Sequence, residues 1–133
     1  MQVLAALCIM NENLKKLLNP AEFVEDELVE FAVVDKDLLP GPIEAKHWVY
    51  ISERLWSRLL SYGSAYELHF QQVIEPVIDT VLGSEQCESF CEELEFLINV
   101  TNDTAFLQAL HVVHSEASKV INQQNMRLII SPP

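Results

Sequence analysis

PAEFVEDELVEFAVV, residues 20–34, reads as a helix, and the fold expected for the whole chain follows from that reading. Pro20 suits a first helical turn, where its missing N–H would have had no intrahelical partner. Glu22, Glu25, Asp26 and Glu27 then fall near the positive end of the helix dipole, which stabilises the helix while leaving the charge in solvent. Val24, Leu28, Phe31 and Ala32 make up the apolar side.

Upstream, residues 2–18 carry Val3, Leu7, Met10 and Leu14 at helical spacing, and Asn19 before Pro20 marks the boundary,. Downstream, DKDLLPGPIEAK places Pro40 and Pro42 around Gly41, a stiff turn in which Leu38 and Leu39 either anchor to the core or touch a partner,. Trp48, Leu55, Trp56, Leu59 and Tyr62 return to helical spacing, with Gly63 as the stop,. The alternation in HWVYIS equally allows a strand over 47–52, with a helix starting at Ser52 and Glu53,.

The next stretch, residues 64–83, has a broad apolar side from Tyr66 and Phe70 to Val81, kinked or split near Glu75 because Pro76 lacks an amide donor,. SEQCESFCEELEF, residues 84–96, predicts a helix capped at Ser84, with Cys87, Phe90, Cys91 and Leu94 facing inward,. Asp103 or Asn102 caps one more helix through Phe106, Leu110, Val113 and Ile121. In the tail, Leu128 to Ile130 is β-prone, and it either pairs with a strand near 47–51 or lies extended across the helices,. The expected fold is therefore mainly α: a single-domain, compact bundle of about five to six helices, with 47–51 and 127–130 as the candidate two-stranded element.

At 133 residues the chain fits one domain around one core,. Half the residues are apolar and 21% are charged, so the formal charge of −12 belongs to a folded protein and not to a disordered acidic chain,. That charge is concentrated, with −7 over residues 21–45 and −7 over 76–103. Such fields repel nucleic-acid phosphates and anionic lipid and favour basic protein partners. Cys8, Cys87 and Cys91 are too few for a disulfide scaffold, and the apolar run after Met1 lacks a basic flank, so a cytoplasmic protein is expected,. The sequons at 99–101 and 102–104 would matter only in a secreted chain,.

Chemistry finds little support. Cys87 and Cys91 share a helical face, but they lack C-x-x-C spacing and fall on the apolar periodicity, where cysteine acts as a small hydrophobe,. His111 and His114 could share a metal only if His47 or His69 supplied a third ligand,. Three glycines build neither a nucleophile elbow nor a phosphate loop, and Glu75 and Asp79 are no better placed as a catalytic pair than many other carboxylates,. The expectation is a non-enzyme with neither cofactor nor metal.

The acidic blocks carry the functional expectation. Glu88 with Glu92, and Glu22 with Asp26, are like-charge pairs at i and i+4, each costing about a few tenths of a kcal/mol of helix stability. The expected partner-binding set is Glu22, Glu25, Asp26, Glu30, Glu85, Glu88, Glu92 and Glu95, with Trp56 as aromatic anchor and Trp48, Tyr50 or Tyr66 as alternatives,. In size, acidity and low cysteine content the chain resembles bacterial immunity proteins. That resemblance implies tight docking on one basic protein, such as a toxin or nuclease, with no direct nucleic-acid or membrane contact. A helical adaptor or scaffold subunit, self-associated or not, is the competing reading, and a small metal-dependent enzyme is the third.

Overall fold

A computed structural model describes residues 27–39 and 48–133. The helices expected over 2–18 and at the start of 21–34 lie outside the described residues, as do Cys8, His47 and most of the proline-rich turn. The described chain runs β1 (Leu28–Asp35), a 3-10 turn (Lys36–Leu38), β2 (Val49–Ser52), α1 (Glu53–Ala65), α2 (Phe70–Val73), β3 (Thr80–Leu82), α3 (Ser84–Val100), α4 (Thr104–Ser118) and β4 (Met126–Ser131). The four strands form one antiparallel sheet in the order β2-β1-β4-β3.

This sheet corrects the expectation of a mainly helical bundle with a two-stranded element. The pivotal segment, LVEFAVVD, is a strand and not the second half of a helix. Its three valines are β-branched, stiff at χ1 and better fitted to a pleated surface than to a helix. The expected strands at 47–51 and 127–130 do exist, as β2 and β4, yet they are not partners. β1 lies between them, Phe31 facing Val49 on one side and Ile130 on the other. The stretch over 64–83, read as one kinked helix, divides into the short α2 and the strand β3.

Side-chain alternation gives the sheet two different faces. Val29 and Phe31 of β1, Ile51 of β2, Leu82 of β3 and Leu128 and Ile130 of β4 point toward the helices and join the main core. Against them pack Leu55, Trp56 and Leu59 of α1, Phe70 of α2, Cys87, Phe90, Leu94 and Leu97 of α3, and Phe106, Leu110 and Val113 of α4. On the other face, Ala32, Val34 and Ile129 are buried with Leu39 and Trp48 packed on them. That places Leu39 of the proline-rich turn on the protein's own apolar face.

The helix boundaries follow local chemistry. The Ser52 side chain accepts the Arg54 N–H at the start of α1, and Asp103 accepts the Phe106 N–H at the start of α4, each supplying one of the donors a helix start leaves unpaired. At α3 the cap is Gly83, one residue before the expected Ser84, with its N–H donated to the Gln86 side chain. Ser84 instead accepts the backbone N–H of Asn122, tying the α4–β4 connection to the start of α3. Gly63 does not end α1; the helix continues to Ala65, and the Phe70 ring occupies the space beside the glycine.

A candidate docking surface on α3

α3 is amphipathic in a way that separates its two roles. Cys87, Phe90, Cys91, Leu94 and Leu97 are buried, while Glu85, Glu88, Glu92 and Glu95 are exposed on the outer side. Glu85, Glu88, Glu92, Phe96 and Val100 follow one another at steps of three or four residues, which aligns them along one stripe of the helix. Phe96 is 40% exposed, and Val100 at the end of the stripe is exposed as well. Tyr66, just past α1 and 48% exposed, meets Phe96 edge to face at 5.1 Å. Tyr62 stacks on Tyr66 at 6.1 Å and on buried Phe106 at 5.3 Å, so the exposed ring pair is fixed to the core through a chain of aromatics.

The glutamates of α3 differ in what they hold. Glu93 accepts the backbone N–H groups of His69 (2.5 Å) and Phe70 (2.9 Å), fixing the start of α2. Glu95 meets His114 Nε2 at 3.3 Å. Glu85, Glu88 and Glu92 form no ion pair with the described residues, whose ion pairs are Arg58–Asp103, His114–Glu95 and Lys119–Glu116. At the N-terminal end of the stripe, an open cleft of about 220 Å³ lies between α2 and α3, with His69, Val73, Glu85, Ser89 and Glu93 along it.

The remaining expected contact residues do not assemble with this stripe. Glu22, Glu25 and Asp26 lie outside the described residues. Glu30 stands on β1, opposite Tyr50 and Ser131, and shares its sheet face with Ala32 and Val34. α3 packs on the other face, so the sheet separates Glu30 from the α3 glutamates. Trp56 is only 2% exposed and packs edge to face on Phe31 at 5.3 Å, with its indole N–H unpartnered in the core. It presents nothing to a partner, and exposed Tyr66 and Phe96 stand where an aromatic anchor is needed.

Phe96 escaped the sequence reading because the run Phe90, Cys91, Leu94, Leu97, Ile98 already accounts for a complete apolar face. The signal was its position four residues after Glu92, on the acidic side of the same helix.

Cys87 and Cys91 are free thiols inside the core. Burial, with a smaller push from Cys91 that Arg127 partly offsets, raises the Cys87 thiol to about 12. Burial and then the Glu95 charge raise Cys91 to about 11. Both side chains therefore stay protonated at neutral pH, and a thiol is neither the nucleophile nor the metal-binding form. His114 faces Glu95 while His111 is exposed. Among the described residues, no group of three or more His, Cys, Asp or Glu stands close enough to hold a metal ion, and no helix is long and apolar enough to cross a membrane.

Comparison of the chain with protein-family models, with curated proteins and with solved structures finds no match.

Proposed function

We propose that the protein is a binding module that docks on a basic protein through the outer face of α3. The observation that carries this reading is the continuity of the stripe: three glutamates without ion-pair partners among the described residues run directly into the exposed Phe96–Tyr66 pair. Charge of one sign accelerates encounter and fixes orientation but contributes modestly to net affinity. Aromatic side chains held in place supply the desolvated centre on which most binding energy falls. The α3 face offers both, side by side, and the rings carry little ordering cost because Tyr62 and Phe106 already hold them.

The test is retention from a cell lysate at low and then physiological salt, with the retained protein identified and its affinity measured in purified form. Glu88→Lys with Glu92→Lys should abolish retention, and Tyr66→Ala with Phe96→Ala should weaken the purified complex by about tenfold or more. Glu30→Lys, on the opposite sheet face, should leave it intact. Equal loss with all three variants would mean that general acidity, and not this face, attracts the partner.

A further inference from the structure

The sheet order places β3 at an edge, so among the described residues its outer side has no strand neighbour. The segment leading into it carries the two most exposed large apolar side chains described, Val77 at 78% and Ile78 at 60%, and Val81 on the strand itself is 45% exposed. Unpaired backbone groups beside exposed apolar side chains are a template for pairing with another chain.

Two hydrogen bonds hold this edge in place. Thr80, itself buried, accepts the Glu75 N–H through Oγ1 at 2.8 Å, and Asp79 accepts from the Ser131 hydroxyl at 2.9 Å. The segment is thus pinned to β4 in extended form, which lowers the ordering cost of adding a strand.

The charge of the edge selects its occupant. Between Ile74 and Gly83 the only charged residues are Glu75 and Asp79, both exposed. Arg127, near Gly83 at the far end, is engaged with the carbonyls of Gln124 and Met126. A second copy would bring the same acidic edge and a further formal charge of −12, whereas a basic strand would complement both carboxylates.

We propose that the β3 edge accepts an added strand from a partner protein, an extended segment in which apolar residues alternate with lysine or arginine. Successive side chains of a strand point to opposite faces. One row of the added strand would lie beside Val81 on the face away from the helices, extending the apolar surface of Val77 and Ile78. Basic residues flanking that row would reach Glu75 and Asp79. Main-chain hydrogen bonds give such a complex its affinity, and the alternating side chains give it selectivity. This surface is separate from the α3 stripe and does not depend on it.

The probe is a synthetic peptide of alternating lysine and valine, titrated into the isotope-labelled full chain while backbone amide shifts are followed. Two controls have the same composition: one with all lysines preceding all valines, the other N-methylated at alternate residues to remove its donors. The alternating peptide should shift the amides of residues 77–82. N-methylation should weaken binding about fivefold or more for each donor removed, and Val81→Lys should weaken it by about tenfold. Val77→Ala with Ile78→Ala, both at exposed positions, provides a second variant whose folding is not in question. The inference is overturned if the block-order peptide binds equally well, if shifts are confined to α3, if the peptide does not bind, or if the β3 shifts follow self-association of the chain alone.

Discussion

Replacing Gly63 with alanine sets two opposed effects against each other inside α1. In a helix interior alanine is favoured over glycine by about 0.8–1 kcal/mol, so a surface position would gain stability. At Gly63, however, an added Cβ would lie 2.6 Å from Phe70 Cε2 and 2.7 Å from Cζ. The ring cannot easily retreat: Phe70 is fully buried, packs edge to face on Phe90 at 5.3 Å, and has its backbone N–H held by Glu93. Forcing a methyl group into a filled core costs about 1–3 kcal/mol. Gly63→Ala should therefore be net destabilising, by about 1 kcal/mol on balance.

Urea unfolding followed by circular dichroism measures this directly, and a double-mutant cycle isolates the cause. Phe70→Leu removes the two ring atoms nearest to Gly63, at less than the roughly 3–5 kcal/mol cost of full truncation to alanine. In that background Gly63→Ala should become neutral or stabilising, giving a coupling of about 1–2 kcal/mol. The same loss in both backgrounds would show that the Phe70 ring is not what requires glycine at this position. A gain in the wild-type background would show that the α1–α2 contact is looser than the geometry states.

Trp56→Phe should leave partner binding unchanged, as measured by calorimetry on the purified complex. It should shift stability by no more than about 1–2 kcal/mol, because the lost volume is offset by removal of an unpartnered buried N–H. Asp103→Ala, which removes both the α4 cap and the 2.6 Å ion pair to Arg58, should cost about 1–2 kcal/mol. Asp103→Ser should recover most of that loss, since the exposed half of such a pair contributes at most about 1 kcal/mol; hydrogen exchange at the start of α4 reports the difference. The thiols of Cys87 and Cys91 should resist alkylation in the folded protein at pH 8 and react rapidly in denaturant. Because burial raises both above their ordinary value of 9.0, toward about 12 and about 11, the unfolded chain loses these protons first as pH rises. Their stabilising contribution is therefore complete below about pH 9 and declines above it, and Cys87→Ala with Cys91→Ala should flatten the alkaline limb of a stability–pH profile.

The sheet was hard to read because its central strand is buried on both faces. A strand with one wet face alternates, and VYIS of β2, with Tyr50 out and Ile51 in, was legible as a strand on that ground,. LVEFAVVD has Val29 and Phe31 buried on one side and Ala32 and Val34 on the other, so its apolar positions satisfy a helical period as readily as a strand period. The acidic run before it added a favourable dipole argument for a helix, and that local argument was outweighed by pairing on both sides, with β2 and with β4. The same reasoning covers β4, which looks like an unstable lone strand until β1 and β3 flank it. α3 and α4 were legible because each has one wet face and one dry face. That contrast makes burial, capping and the outward direction of Glu88 and Glu92 readable from spacing alone. Spacing along one helix cannot show which ring from another element meets it, so Phe96 acquires meaning only when the end of α1 places Tyr66 against it. The acidic stripe was thus a property of sequence, while the docking surface is a property of the tertiary fold.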